Sequence, residues 1–204
     1  MTGNTENLYS QEYFEYLRNR GSLRKFIRKF YLRDIRKYCM GKSIDFGCGT
    51  GELLAMLPTG SVGFEINQVA VDFCKSLGLD VRLYHPAEDD YRFEMFTKDG
   101  YNTFTMNHVL EHLENSYAII QKIFESCNRL GIKRIVFTVP GLKGFRSDKT
   151  HITFIDKKYF ENNGLLGNKY YRLIISKYFP VNSAKFSHYF THNELRLVFD
   201  KRND

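Results

Sequence analysis

Residues 43–65 read Ser-Ile-Asp-Phe-Gly-Cys-Gly-Thr-Gly-Glu-Leu-Leu-Ala-Met-Leu-Pro-Thr-Gly-Ser-Val-Gly-Phe-Glu, and their order decides the fold. A short apolar run, Ile44 and Phe46, enters a loop carrying Gly47, Gly49 and Gly51. A helix-forming run, Glu52 to Leu57, leaves the loop, and a second apolar run, Val62 to Phe64, ends on Glu65. Strand, glycine turn, helix, strand and acid make the first half of a nucleoside-binding crossover. Glycine has no Cβ and tolerates positive φ, so such a loop turns sharply and lets a ligand approach the backbone. The helix start after it offers free N–H groups and a positive dipole end. An acid closing the second strand can accept bonds from both ribose hydroxyls. Glu65 stands 18 positions after Gly47, close to the ~20-residue spacing of that device.

The loop also discriminates among nucleosides. A dinucleotide loop wants Gly-x-Gly-x-x-Gly, but its last glycine position here is Glu52, which would crowd and repel a pyrophosphate. The Gly-Lys-Ser/Thr of a Walker loop is absent. The string Asp45-Phe46-Gly47-Cys48-Gly49-Thr50-Gly51 instead resembles motif I of the class I S-adenosylmethionine-dependent methyltransferases. Glu65 sits where that family places its ribose-binding acid. A cationic sulfonium with an amino group also suits carboxylates such as Asp45 and Glu65 better than a diphosphate would.

The resemblance covers about residues 41–139 well and the remainder in outline. It implies S-adenosyl-L-methionine as cofactor. It assigns cofactor contacts to Asp45, Gly47, Cys48, Gly49 and Gly51 in the loop, to Glu65 and Ile66, to Ala87 and Glu88 after the third strand, and to Asn107. The family usually carries an acid along the adenine edge. Here His85 and Pro86 occupy that neighbourhood, which moves the acidic contact to Glu88 or Asp89. Asn107-His108-Val109-Leu110-Glu111-His112-Leu113 resembles the segment after the fourth strand in small-molecule members of the family.

A chain of 204 residues, 43% hydrophobic and 26% charged, suits one globular domain with a sizeable core. No apolar run approaches the ~18 residues of a membrane span, and the polar start, Met1 to Gln11, lacks the apolar core of a signal peptide. Four cysteines, Cys39, Cys48, Cys74 and Cys127, form no Cys-x-x-Cys pair, so a reducing cytoplasm is expected. The net charge of +7 brings acidic partners into consideration, among them an anionic small-molecule substrate.

Along the chain, residues 10–38 have helical spacing broken at Gly21-Ser22. Residues 1–40 are therefore expected as an N-terminal helical cap, and residues 41–204 as the cofactor-binding domain. Nine basic residues lie between positions 18 and 37 against one acid, Asp34. A solvated helix face and a cap attracting an anion both account for them. Helices are expected over Gln68 to Leu77 and Ser116 to Arg129, and strands over Asp80 to Tyr84, Tyr101 to Met106 and Ile132 to Val139. Residues 141–148 read as a loop, and a helix capped by Asp156 follows. Tyr170 to Phe179 and Leu195 to Asp200 should close the sheet as an antiparallel hairpin at its edge. Alternation of strand and helix predicts a doubly wound α/β fold. The resemblance implies a seven-stranded, mostly parallel sheet whose last strand is antiparallel.

Methyl transfer from a sulfonium is an in-line displacement in which positioning supplies much of the acceleration. A hydroxyl acceptor also profits from a base near neutral pKa, and histidine is the obvious candidate. Base candidates are His151, which follows the fifth strand and its loop, and then His108. His112 is expected to cap or buttress the helix after the fourth strand. His108, Glu111 and His112 share one face at helical spacing, and with His151 they would make a divalent-ion site. The Leu-Glu-His-Leu ending is frequent in metal-free members of the family, so no metal is assigned. The Pro-Pro-Tyr segment of amino-methylating nucleic-acid enzymes is absent after Asn107. The leading expectation is O-methylation of a small metabolite or glycoconjugate precursor. RNA-end or other nucleic-acid methylation and a non-catalytic cofactor-binding subunit are the alternatives.

Overall fold

The computed structural model describes residues 22–98 and 100–202. The expected helix over residues 10–20 lies outside them. Helix α1, Ser22–Arg36, turns Tyr31, Leu32 and Ile35 inward. Strand β1 is Ser43–Phe46, β2 Val62–Glu65, β3 Val81–Leu83, β4 Thr103–Asn107, β5 Arg134–Pro140, β6 Tyr171–Phe179 and β7 Glu194–Lys201. They form one seven-stranded sheet in the order β3-β2-β1-β4-β5-β7-β6. The pairings among β1 to β5 are parallel, whereas β7 lies antiparallel between β5 and β6. The sheet has the expected seven strands, with the antiparallel hairpin at its edge.

Crossover helices cover the faces: α2, Gln68–Ser76, capped by the Asn67 side chain, and α4, Ser116–Arg129, capped by Asn115. Short helices α3, Pro86–Asp89, α5, Leu142–Ser147, and α6, Lys157–Asn162, occupy connections on the way. One face of the sheet packs an aromatic-rich core that includes Phe46, Phe64, Phe104, Phe137 and Phe199. On the other face α1 and α2 pack with Val136 of β5 and Val198 of β7. The N-terminal helix thus shares a core with the sheet.

Two expectations are corrected. Glu52 to Leu57 forms only a single 3-10 turn, Leu54–Met56, and no crossover helix. Pro58 disfavours helical backbone at the residue before it, and only six residues separate it from Gly51. Leu53, Leu54 and Leu57 are still buried, so the run satisfies the core without completing a helix. The expected loop over residues 141–148 contains α5. Its glycines serve close packing: a Cβ on Gly141 would stand 2.2 Å from the Asn193 carbonyl oxygen, and one on Gly144 2.5 Å from that of Thr191.

Candidate functional site

A cavity of about 680 Å³ opens along the carboxyl ends of β1, β2, β4 and β5, roofed by Ile27, Arg28, Phe30 and Tyr31 of α1. This rim is where open α/β sheets bind ligands, and the volume suits a cofactor with a small acceptor.

One end is built on the glycine loop. Gly47 and Gly49 line it at φ +70° and +55°. A Cβ on Gly49 would meet nothing within 4 Å, so that glycine borders open cavity. A Cβ on Gly51 would lie 2.5 Å from Leu79 Cδ1, so this third glycine is a packing residue. Glu65 accepts the Gly49 N–H on Oε2 at 2.7 Å, and the Ile66 and Asn67 N–H groups on Oε1 at 2.9 and 3.0 Å. Burial raises the carboxyl pKa, and those three donors oppose the rise. Three of about four lone-pair positions on the carboxylate are used, which leaves capacity for one ribose hydroxyl while the Gly49 bond holds. Phe46, Phe64, Tyr84, Pro86 and Tyr91 give this end an apolar wall.

The expected cofactor contacts divide in two. Gly47, Gly49, Glu65, Ile66 and Asn107 line the cavity; Asp45, Cys48, Gly51, Ala87 and Glu88 do not. Asp45 lies beneath the loop, where its Oδ1 accepts from Thr105 Oγ1 at 2.7 Å and Asn107 Nδ2 at 3.4 Å. Burial pushes its pKa up to about 6 against these bonds. The side chain therefore positions Asn107, whose Oδ1 is buried without a partner. Cys48 packs into the core beside Gly63. Ala87 and Glu88 are exposed on α3. Asp89 is spent on the Tyr84 hydroxyl at 2.8 Å and the Phe93 N–H at 2.6 Å. The adenine-edge wall is apolar rather than acidic because the acid at that edge folds back to cap its own turn.

At the other end the side chains carry the chemistry. His108 holds a positive φ of 54° and sits between two carboxylates. Its Nδ1 is 3.0 Å from Glu111 Oε1 and its Nε2 3.3 Å from Glu194 Oε2. Burial alone would lower its pKa, but the charges and hydrogen bonds of Glu194 and Glu111 outweigh that and raise it to about 9. At neutral pH this imidazole is a cation and offers no lone pair. Tyr31 of α1 tilts against it, with ring centroids 5.6 Å apart. Burial holds that phenol well above its ordinary pKa, and its hydroxyl has no partner.

His151 differs. Its Nδ1 lies 2.9 Å from the Phe145 carbonyl oxygen, which can only accept, so Nδ1 carries the proton. The lone pair is then on Nε2, which stands 3.9 Å from Glu111 Oε1 and 4.0 Å from Asp148 Oδ2. His112 does not cap α4. Its Nδ1 meets the Thr150 carbonyl oxygen at 3.2 Å and Thr150 Oγ1 at 3.1 Å, so it buttresses the 148–151 loop instead. Both histidines line the cavity, and Glu111, fully buried behind them, keeps Oε2 without a partner. The Leu-Glu-His-Leu string pointed to Glu111 and His112. No motif pointed to Tyr31, Glu194 or Arg28, which is paired with Glu52. These arrive from α1 and β7 through tertiary packing.

The residues present fit a methyl-donor nucleoside: open space at Gly49, a carboxylate over the loop, an apolar wall and an unpartnered amide oxygen at Asn107. Comparison with solved structures places the same fold in several proteins. An S-adenosylmethionine-dependent methyltransferase from Archaeoglobus fulgidus superposes with a TM-score of 0.65 at 18% identity, covering 95% of this chain and all of that one. Magnesium protoporphyrin IX methyltransferase from Synechocystis, solved with bound S-adenosylhomocysteine, gives 0.66 at 13% identity, covering 97% of each chain. The small RNA methyltransferase HEN1 gives 0.61 at 18% identity, covering 89% of this chain and 25% of that one. No curated protein sequence matches the chain. A family model described as a methyltransferase domain matches residues 12–203. The chain belongs to that methyltransferase domain family, an enzyme of the class I S-adenosylmethionine-dependent kind that the glycine loop resembles.

Proposed function

We propose that this methyltransferase methylates a hydroxyl oxygen of a small, uncharged metabolite or glycoconjugate precursor. One observation carries the reading: His151 presents an Nε2 lone pair to the cavity, with its Nδ1–H fixed on the Phe145 carbonyl. A hydroxyl must lose its proton as it attacks, and a histidine held in one tautomer beside a carboxylate can take it.

S-adenosylmethionine supplies an electrophilic methyl group on a sulfonium. Gly47 and Gly49 keep the backbone low beneath the nucleoside, Glu65 meets a ribose hydroxyl, and Asn107 Oδ1 accepts from the amino group. The acceptor enters at the histidine end. Glu194 lines that end with a carboxylate beside His108, and the Glu111 carboxylate lies buried behind the two other histidines. Such a wall suits a ligand rich in hydroxyl donors and disfavours an anion. The anionic substrate expected from net charge finds little support: Lys29, Arg33 and Lys37 face solvent, and Arg28 is paired with Glu52. The α1 helix acts as the roof over the cavity. A cytoplasmic setting is supported by four unpaired, buried cysteines. Among the described residues no helix is long and apolar enough to cross a membrane.

The test is label transfer from methyl-labelled cofactor to panels of sugars, phenols and nucleosides bearing free hydroxyls, with His151→Ala alongside. Transfer to oxygen that fails in the variant supports the reading. Bound cofactor with transfer only to nitrogen or carbon would overturn it. RNA 3′-ends belong in the panel, because Lys29 and Arg33 give the exposed face of α1 a basic character that suits a phosphate backbone.

A further inference from the structure

We propose that Glu111, His112 and His151 form a binding site for a first-row divalent cation at the acceptor end of the cavity, its open positions facing the oxygens of the acceptor. One potential ligand atom from each of the three residues lies within 4.8 Å of the others.

The hydrogen bonds of the two histidines decide what the cluster offers. His151 donates Nδ1–H to the Phe145 carbonyl. For His112 the tautomer follows from its neighbour: Thr150 Oγ1 gives its proton to Asp148 Oδ1 at 2.7 Å, so it can only accept from His112 Nδ1. Both rings are therefore fixed with the proton on Nδ1 and the lone pair on Nε2. Ligating histidines are characteristically held this way, the second nitrogen tied to a carbonyl or hydroxyl. The third donor supplies independent support. Glu111 is fully buried, and its Oε2 has no hydrogen-bond partner. A buried carboxylate oxygen without a partner is costly, and a cation between it and two Nε2 atoms removes that cost.

Two imidazole nitrogens and one carboxylate oxygen suit Mn²⁺, Fe²⁺, Co²⁺ or Zn²⁺ better than a cation that prefers oxygen alone. The cation would lower the pKa of a hydroxyl bound to it. The O–H bond then breaks with loss of the proton to water at the cavity mouth, the oxygen forms its bond to the methyl carbon, and the carbon–sulfur bond breaks. The inference rests on the O-methylation reading and changes one role in it: His151 Nε2 is a ligand of the cation, and the cation, in place of the histidine acting as a base, activates the hydroxyl. Open cation positions also narrow the acceptor to one with two adjacent oxygens.

The experiment titrates Mn²⁺ into the full chain and follows loss of the free-ion electron paramagnetic resonance signal. Binding of S-adenosylhomocysteine is measured in parallel by calorimetry. One Mn²⁺ per chain is expected, with affinity reduced about tenfold or more in His112→Ala and Glu111→Gln while S-adenosylhomocysteine binds as before. No stoichiometric Mn²⁺ on the wild-type chain would overturn the site without reference to any variant, as would unchanged Mn²⁺ affinity in both variants. Mn²⁺ bound to a chain that fails to bind S-adenosylhomocysteine would overturn the methyl-transfer reading and leave the ion site standing.

Discussion

The two ends of the cavity are made differently. The cofactor end is mainly backbone: Gly47 and Gly49 on one loop, and a Glu65 carboxylate held by three N–H groups within 18 residues of Gly47. The acceptor end is side chain, drawn from α1, the turn after β4, the 148–151 loop and the start of β7. A nucleoside shared by many enzymes can be met by a local motif. An acceptor peculiar to one enzyme is met by residues brought together only in the folded chain. Variants should therefore separate binding of the donor from transfer to the acceptor.

The largest separation is expected from Gly49→Val. Gly49 holds φ +55° against open cavity, so a branched side chain both strains the loop and enters the ligand's space. Calorimetry should detect no cofactor binding, and retained affinity would mean that the cofactor does not approach the loop there. Next in size is His151→Ala at the opposite end. Loss of a group that activates the acceptor hydroxyl should lower the transfer rate roughly 10²–10⁴-fold with cofactor affinity unchanged. Loss of cofactor affinity as well would erase the division between the two ends.

A third variant attacks the roof that both ends share. Arg196 of β7 is fully buried, 2.9 Å from Asp34 Oδ2 of α1, and its guanidinium lies 4.5 Å from the Phe179 ring centroid. Arg196→Leu leaves the buried Asp34 carboxylate only the exposed Lys37 ammonium, 3.3 Å from its Oδ1, so denaturant unfolding should show a loss of up to about 3–5 kcal/mol. A loss under ~1 kcal/mol would show that α1 is held by its apolar face, Tyr31, Leu32 and Ile35, rather than by the pair.

The contrast between the ends also explains what could be read without coordinates. The glycine loop, Glu65 and the run of alternating strands and helices are legible because their signals are local, in dihedral tolerance and in periodicity. Glu194 is illegible for a geometric reason. It opens β7, and only antiparallel pairing, which sets it opposite Pro140, carries the start of that strand to the rim where β5 ends. Tyr31 reads as one more apolar residue of an amphipathic helix. Its role needs the helix packed over His108, whose ring lies 5.6 Å away. The failed helix after Gly51 was written in Pro58, but the helix-forming character of Glu52 to Leu57 masked it. The acids after β3 misled because an Asp or Glu in a loop is as often a cap for its own turn, as Asp89 is.

Smaller effects sharpen the same division. Glu65→Ala should weaken S-adenosylmethionine by roughly 1.5–3 kcal/mol, the range for a hydrogen bond to a charged group. Calorimetry checks it, and an unchanged affinity would place the ribose elsewhere. The substitution also strips three backbone N–H groups of their acceptor, so part of the loss should come from a loosened loop. A Glu65→Gln variant separates the parts, since the amide oxygen can keep the Ile66 and Asn67 bonds but lacks the charge.

The mildest test uses pH and bears on the acceptor end alone. His108 titrates near 6.5 in an unfolded chain and at about 9 in the folded one, where Glu194 and Glu111 outweigh the effect of burial. The folded state therefore binds the proton more tightly. That contribution to stability is complete below about pH 6.5 and disappears as pH rises through 9. Unfolding free energy measured across this window should fall, and His108→Gln should flatten the fall because Gln cannot titrate. Tyr31, whose phenol ring lies against His108 beside the two carboxylates, remains protonated throughout. Cofactor affinity should hold level across the same window, since His108 touches two carboxylates at the acceptor end and makes no contact with Glu65 or the glycine loop. If affinity fell together with stability, the two ends would be coupled through Asn107, the neighbour of His108 bonded to Asp45 beneath the loop.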